Sequence, residues 1–384
     1  MKFEFATAAQ IVFGAGRLQE IGDIVADFGT RAFVITGSTP ERAAQVLKIL
    51  QEKRIEYVTF AITGEPTIEV VQQGVQQARE HLCDVVIGFG GGSVMDTGKA
   101  VAGLLTNGGE PLDYLEVIGK GHKITTAAAP YIAIPTTAGP GTEVTRNAVI
   151  KSAQHQVKVS MRSPFLLPRV ALIDPELTYT LPPGVTASTG LDAFTQVVEP
   201  YVSNKANPLT DALCREGMQR AARSLRRAYE HGEDPAARED MSVVSLFGGL
   251  ALANAQLGAV HGFAGPLGGM FSAPHGAICA RVLPYVIEVN VRALQARQPG
   301  SRALQRYDEI ARMLTGNSGS TAGDAVKWVR ELCDALQVPA LTQYGMTAAD
   351  IPVVVEKSAK ASSMKGNPLA LTTEELTEIL ERAL

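Results

Sequence analysis

The sequence predicts an α/β domain built on a parallel sheet, followed by an all-helical domain. Three observations carry this. In the first half, short apolar runs alternate with stretches of helical spacing, which is the pattern of a parallel sheet covered by helices. After Leu181-Pro-Pro-Gly184 the chain shows long helical periods and almost no β-branched runs. The length of 384 residues suggests about two domains. The expected division is 1–184 and 185–384.

The elements follow in order. Ile11-Val-Phe13 reads as a short strand stopped by Gly14 and Gly16, and helical spacing runs from Leu18 to Phe28. Residues 31–36 form an apolar strand ended by Gly37 and Ser38. Thr39 and Pro40 open a helix reaching Lys53, because the proline ring pre-sets the first helical position. A strand over 57–62, a helix over 67–81 and a strand over 84–89 lead into a glycine run and a helix over 93–105. Strands at 131–135 and 170–174 complete the sheet. Beyond the boundary, helices are expected at 186–202, 208–230, 237–257, 275–290, 301–315, 321–336, 348–361 and 373–383.

Composition excludes several classes of function. The 35 basic and 39 acidic residues leave a net charge of −4, so no basic surplus exists to neutralise a nucleic acid. The four cysteines, Cys83, Cys214, Cys279 and Cys333, form no Cys-x-x-Cys pair and read as buried free thiols in a reducing compartment. The start of the chain lacks the apolar stretch of a secretory signal. The apolar segment Val243–Val260 contains Ser245, Asn254 and Gln256, and reads as a buried helix rather than a membrane span. The expectation is a cytoplasmic protein with no membrane or nucleic-acid partner.

Chemistry is suggested at four places. Gly88-Phe-Gly-Gly-Gly-Ser93-Val-Met-Asp96 follows a strand and opens a helix, where glycines allow close approach of a phosphate and the helix terminus offers free N–H donors. The plain alternative is a tight turn without ligand. Thr136 and Thr137 in Ile134-Pro-Thr-Thr-Ala-Gly139 follow the next strand and could line the same edge, where open α/β sheets bind ligands. His261 and His275 lie in small, apolar surroundings, whereas His81, His122, His155 and His231 read as solvent-facing. Asp192 stands on an apolar helix with Gln196 one turn later, and an aspartate with two histidines suits a divalent metal with an open position.

Gly90-Gly-Gly-Ser-x-x-Asp96, Ile134-Pro-Thr-Thr-Ala-Gly139, Asp174-Pro-Glu-Leu177, Gly190-Leu-Asp-Ala193, Pro274-His-Gly276 and Asn367-Pro368 stand in order along nearly the whole chain. Together they resemble the iron-containing (group III) alcohol dehydrogenases. The resemblance implies the dehydroquinate synthase-like fold, with a nucleotide-binding α/β domain and a helical metal-binding domain. It implies an NAD(P)-dependent alcohol dehydrogenase or aldehyde reductase, interconverting a small alcohol with its aldehyde or ketone. Gly91, Gly92, Ser93 and Asp96 would hold the cofactor, Thr136 and Thr137 would line it, and Lys158 matches a cofactor-contacting lysine. Asp192, His261 and His275 match metal ligands for Fe²⁺ or Zn²⁺, with Gln196 beside them. Family habit suggests a homodimer or larger homo-oligomer.

Two departures stand out. Typical members carry histidine where this chain has Gln196 and Gly265. An amide oxygen binds Fe²⁺ or Zn²⁺ less well than imidazole. A metal-independent reductase of an oxo-acid, resembling maleylacetate reductases, and a weakly catalytic cofactor-binding sensor are therefore the alternatives. Gly37 and Ser38 replace the acidic residue that many NAD-preferring members place near this strand end, and Arg42 adds positive charge. NADP(H) is accordingly expected over NAD(H).

Overall fold

The computed structural model describes residues 2–155 and 157–384. The strands are β1 (Gln10–Phe13), β2 (Arg31–Thr36), β3 (Glu56–Ala61), β4 (Val85–Gly90), β5 (Tyr131–Pro135), β6 (Asn147–Ser152), β7 (Val157–Arg162) and β8 (Val170–Ile173). The first helices are α1 (Ile21–Ala26), α2 (Ala44–Glu52), α3 (Ile68–Glu80), α4 (Gly92–Asn107) and α5 (Pro111–Tyr114). They are followed by α6 (Pro183–Val202), α7 (Pro208–Glu230), α8 (Pro235–Ala255), α9 (Ala259–Met270), α10 (His275–Arg297), α11 (Arg302–Thr315), α12 (Ala322–Ala335), α13 (Ile351–Ala359) and α14 (Thr373–Ala383). The chain forms two compact units: one of residues 6–137 and 141–178, the other of 1–5, 138–140 and 179–384.

The first unit is built on a six-stranded sheet in the order β1-β8-β5-β4-β2-β3, every neighbouring pair parallel. Its inner strands β2, β4, β5 and β8 are mostly apolar and buried because both faces are covered, whereas the edge strand β3 is largely exposed. Phe33, Ile35, Val86 and Ala133 join a core with α3 and α4, while Val34, Val85, Ile87 and Ile134 join another with α1 and α2. The strand order reverses between β2 and β4: the chain leaves β2 toward β3 on one side and β4 toward β5 on the other. A crevice opens at the carboxyl ends of strands at such a reversal.

Glycines in this unit serve packing at identifiable points. A Cβ on Gly98 would come within 2.4 Å of the Tyr131 ring, and one on Gly88 within 2.4 Å of its hydroxyl. Tyr131 is thereby clamped between β4 and α4, its hydroxyl donating to the Met95 carbonyl at 3.2 Å. A further polar node is wholly buried. The Lys99 ammonium, on α4, donates to the Thr142 carbonyl and the Thr145 hydroxyl at 3.0 Å each, donates to the Asn147 carbonyl, and pairs with Asp96 at 3.1 Å. These bonds tie α4 to the segment entering β6.

The structure differs from the sequence reading in several elements. Residues 147–152 and 157–162 form an antiparallel pair, β6–β7, where no strand is expected. Residues 40–43 are a 3₁₀ turn and α2 begins at Ala44. A separate helix, α9, occupies 259–270, and α10 extends to Arg297. Asp174 lies past β8 instead of in it, accepting from the Gly16 and Leu18 amides at 3.2 and 3.0 Å. Cys83 is half-buried, whereas Cys214, Cys279 and Cys333 are buried, and all four are free.

The second unit is helical around one apolar core contributed by α6 through α14. No single described helix is long and apolar enough to cross a membrane; α8 and α9 pass such a test only as a pair, bent by 99°.

Glu143 is buried near Lys99, Asp96 and Tyr131. Burial pushes its carboxyl from 4.5 up to about 7, the Lys99 charge only partly opposing. The folded state thus holds a proton that the unfolded chain releases. This contribution to stability is present below 4.5 and lost as pH rises to about 7. Glu143→Gln is expected to melt like the wild type below that window and to be more stable above it, by roughly 1–3 kcal/mol, as read from denaturant melts across pH.

Candidate metal centre and nucleotide crevice

The metal centre is assembled from three helices of the second unit. On α6, Asp192, Gln196 and Glu199 share one face at one and two helical turns. All three are buried, and so is His261 on α9. His275 is the first residue of α10, whose start is set by Pro274 as its N-cap, and Cys279 lies one turn on. A Cβ on Gly276 would approach the Ser188 carbonyl to 2.1 Å and the Asp192 Cβ to 3.3 Å. Glycine here lets α10 press against α6, and that contact brings His275 to Asp192.

The donors converge. The Asp192 Oδ1 atom lies 3.3 Å from His261 Nε2 and 3.8 Å from His275 Nε2. The Cys279 Sγ atom is 3.8 Å from His261 Nε2. One ligand atom from each of Asp192, His261, His275 and Cys279 falls within 4.8 Å of the others. The His275 side chain retains 42% of its exposure while Asp192 retains 4%, so the cluster is open on the His275 side.

Glu199 orients the site. Its Oε2 sits 2.7 Å from His261 Nδ1, and its Oε1 accepts the Val260 amide at 2.7 Å. With Nδ1 turned to Glu199, Nε2 is the ring nitrogen of His261 that faces the cluster. The Asn367 side chain completes the support by accepting the Ala259 amide at 3.2 Å and exchanging hydrogen bonds with Asn290 at 2.8 and 3.1 Å. Asn367 thus holds the first turn of α9.

Within the site, the buried Gln196 Oε1 has no hydrogen-bond partner, and the buried Asp192 Oδ1 meets only the two histidine Nε2 atoms, at 3.3 and 3.8 Å. Unpaired buried oxygens are costly, and a cation is a partner that would satisfy them. Burial opposes charge on Asp192, but His275, His261 and a hydrogen bond from Gln196 hold its carboxyl below the ordinary range. Burial likewise opposes charge on His261, yet Cys279, Asp192 and Glu199 outweigh it and raise its pKa. The surroundings therefore favour positive charge, and the residues fit a divalent cation.

The other expected site residues lie in the first unit. Gly37 and Ser38 follow β2, and Gly91, Gly92 and Ser93 follow β4, on the two sides of the reversal in strand order. Thr136 follows β5, its amide donating to the Gly90 carbonyl at 2.9 Å. A Cβ on Gly90 would press into Val94 at 2.6 Å, so that glycine is required by packing. A Cβ on Gly91 would meet only the Thr137 side chain, at 3.5 Å. No side chain caps α4 at Gly91, which leaves the helix start available to a phosphate. Asp96 is engaged with Lys99, and Lys158, on β7, pairs with Glu65. The Arg42 guanidinium donates to the Leu177 carbonyl at 2.9 Å. His81, His122, His155 and His231 are exposed.

Sequence reasoning missed Glu199 and Cys279. Both carried a periodic signal, Glu199 two turns after Asp192 and Cys279 one turn after His275. At Gly265 an added Cβ would meet no atom within 4 Å.

Comparison with known proteins gives matches over both units. Residues 8–175 match the family described as iron-containing alcohol dehydrogenase, and residues 186–384 match its C-terminal family. Alcohol dehydrogenase 4 of Saccharomyces cerevisiae is 34% identical over 97% of this chain and 96% of its own length. A solved structure of 1,3-propanediol oxidoreductase superposes with a TM-score of 0.93 at 30% identity, covering 100% of both chains. The sulfoacetaldehyde reductase of Bifidobacterium kashiwanohense, solved in complex with NAD⁺, gives a TM-score of 0.87 at 27% identity, covering 100% of this chain and 99% of that one.

The two glycines of the site are expected to respond oppositely to alanine. Gly265→Ala gains helix propensity in open space and should stabilise by about 0.5–1 kcal/mol. Gly276→Ala must push α10 off α6; it should lower the melting temperature and weaken binding of Zn²⁺, measured by calorimetry.

Proposed function

The chain belongs to the iron-containing alcohol dehydrogenase family, and from that premise we propose that it catalyses reversible hydride transfer between a small alcohol and its aldehyde or ketone, using a nicotinamide dinucleotide and a divalent metal. The observation that carries the metal part of the reading is the convergence on the buried Asp192 Oδ1 of His261 Nε2 at 3.3 Å and His275 Nε2 at 3.8 Å. Asp192, His261 and His275 would hold the ion, with Gln196 beside them. When bound, the ion supplies Lewis-acid polarisation of the substrate oxygen, and the nicotinamide supplies or accepts the hydride.

The chain's own residues bind and orient. Glu199 holds His261 by Nδ1 and leaves Nε2 facing the cluster. Asp192 contributes the negative charge that a divalent cation requires in a buried place. In the α/β unit, Gly91, Gly92 and Ser93 would receive the dinucleotide's phosphates at the start of α4, with Thr136 and Thr137 lining it. Asp96 and Lys158 complete the proposed cofactor set, Asp96 through its fixed place beside Lys99.

For the cofactor we favour NADP(H) over NAD(H). Support comes from Gly37 and Ser38 at the end of β2, where no acidic side chain would repel a 2′-phosphate. Arg42, which follows on the 3₁₀ turn at 40–43, adds positive charge, although its guanidinium is also bonded to Leu177.

A second reading, metal-independent reduction of an oxo-acid, is favoured only by Gln196 and Gly265 standing where typical relatives carry histidine. The convergence of the Asp192, His261, His275 and Cys279 donor atoms weighs against it.

Aldehyde reduction measured with each cofactor, before and after chelation, tests the proposal. Activity should fall at least about a hundredfold on metal removal or in His275→Ala, recover with Fe²⁺ or Zn²⁺, and show the higher kcat/KM with NADPH. Full activity after chelation would support the metal-free reading, and a clear NADH preference would remove the case for NADP(H).

A further inference from the structure

The metal cluster contains a donor that neither the expected ligand set nor the family comparison assigns. Cys279 is fully buried on α10, one turn beyond His275 and on the same face. Its Sγ lies 3.8 Å from His261 Nε2 and within 4.8 Å of the donor atoms of Asp192, His261 and His275. Gln196 has a different role in this arrangement. Its amide hydrogen-bonds to the Asp192 carboxylate, and its Oε1 is 3.5 Å from where a Cβ on Gly248 of α8 would stand. The amide therefore braces Asp192 from the α8 side.

We propose that Cys279 is the fourth protein ligand of the metal, as a thiolate. The inference rests on the reading of Asp192, His261 and His275 as ion holders. Geometry supports it, since the Cys279 sulfur lies 3.8 Å from His261 Nε2 and the four donor atoms all fall within 4.8 Å of one another. Donor chemistry supports it as well. A Cys/His/His/Asp set matches the sulfur, nitrogen and oxygen ligands of zinc, and thiolate favours softer cations. On binding, the S–H bond breaks as the sulfur–metal bond forms, and one proton leaves to solvent for each ion bound.

The test uses the purified full-length chain, stripped of metal and loaded with Co²⁺ or Zn²⁺. The wild type should bind one equivalent of Co²⁺ with a near-ultraviolet thiolate-to-cobalt charge-transfer band. Cys279→Ser should lose that band and bind Zn²⁺ at least about tenfold more weakly, the lower end of what removing even an outer partner of a ligand costs. Cys279→Ala, which adds no polar group to the buried position, should do the same. Unchanged melting of both metal-free variants would separate lost affinity from lost fold. Gln196→Ala should keep the band. Stoichiometric Co²⁺ binding without the band, and Zn²⁺ affinity untouched by loss of Cys279, would overturn the proposal while leaving the proposed function standing. Failure of the wild type to bind either ion would overturn both.

Discussion

The Glu199 carboxylate is the constraint on which the candidate metal centre depends. One oxygen takes the Val260 amide and the other takes His261 Nδ1. A single side chain thereby fixes both the start of α9 and the orientation of the imidazole on its first turn. A carboxylate in an apolar core is tolerable only when its lone pairs are occupied. Gly258 makes room for it, because a Cβ there would stand 2.9 Å from Oε1. Asn367 reinforces the same turn from the opposite end of the domain's sequence. His261 is therefore positioned by buried hydrogen bonds at the start of α9 as well as by the packing of Val260, Phe263 and Leu267 in the helical core.

Much of this architecture is legible in the sequence because strands buried on both faces are unbroken apolar runs. Residues 31–36, 84–89 and 131–135 are of that kind. The β6–β7 pair escapes because its residues alternate: Ala148 and Ile150 turn inward while Asn147 and Lys151 stay partly exposed. Asp192, His261 and His275 announce themselves as polar residues in apolar stretches. Glu199 does not, since an acid beside Pro200 resembles a charge at a helix end. Cys279 does not either, because a lone cysteine among Ala277, Ile278 and Ala280 reads as a small apolar side chain. Both become visible only when α6, α9 and α10 are brought together.

The glycine run after β4 shows how one motif mixes two demands. Gly88 and Gly90 are obliged to be glycine by Tyr131 and Val94, whatever the unit binds. Gly91 meets nothing that forbids a side chain, and the uncapped start of α4 lies beside it. Sequence alone presents these positions as one cluster. Packing divides them, and the part left free of packing duty is the part that faces the reversal in strand order.

The pairing of β1 with β8 constrains the order in which the protein can form during synthesis. The Gly16 amide waits for an Asp174 carboxylate that lies 158 positions later in the chain. On the ribosome, β2, β3, β4 and β5 can assemble in turn, but β1 has no neighbour until β8 emerges. The first strand to be made is among the last to be seated, so its unpaired edge stays exposed to pairing with other chains throughout that interval. A short β1, four residues ended by Gly14, limits what such a stray partner can gain.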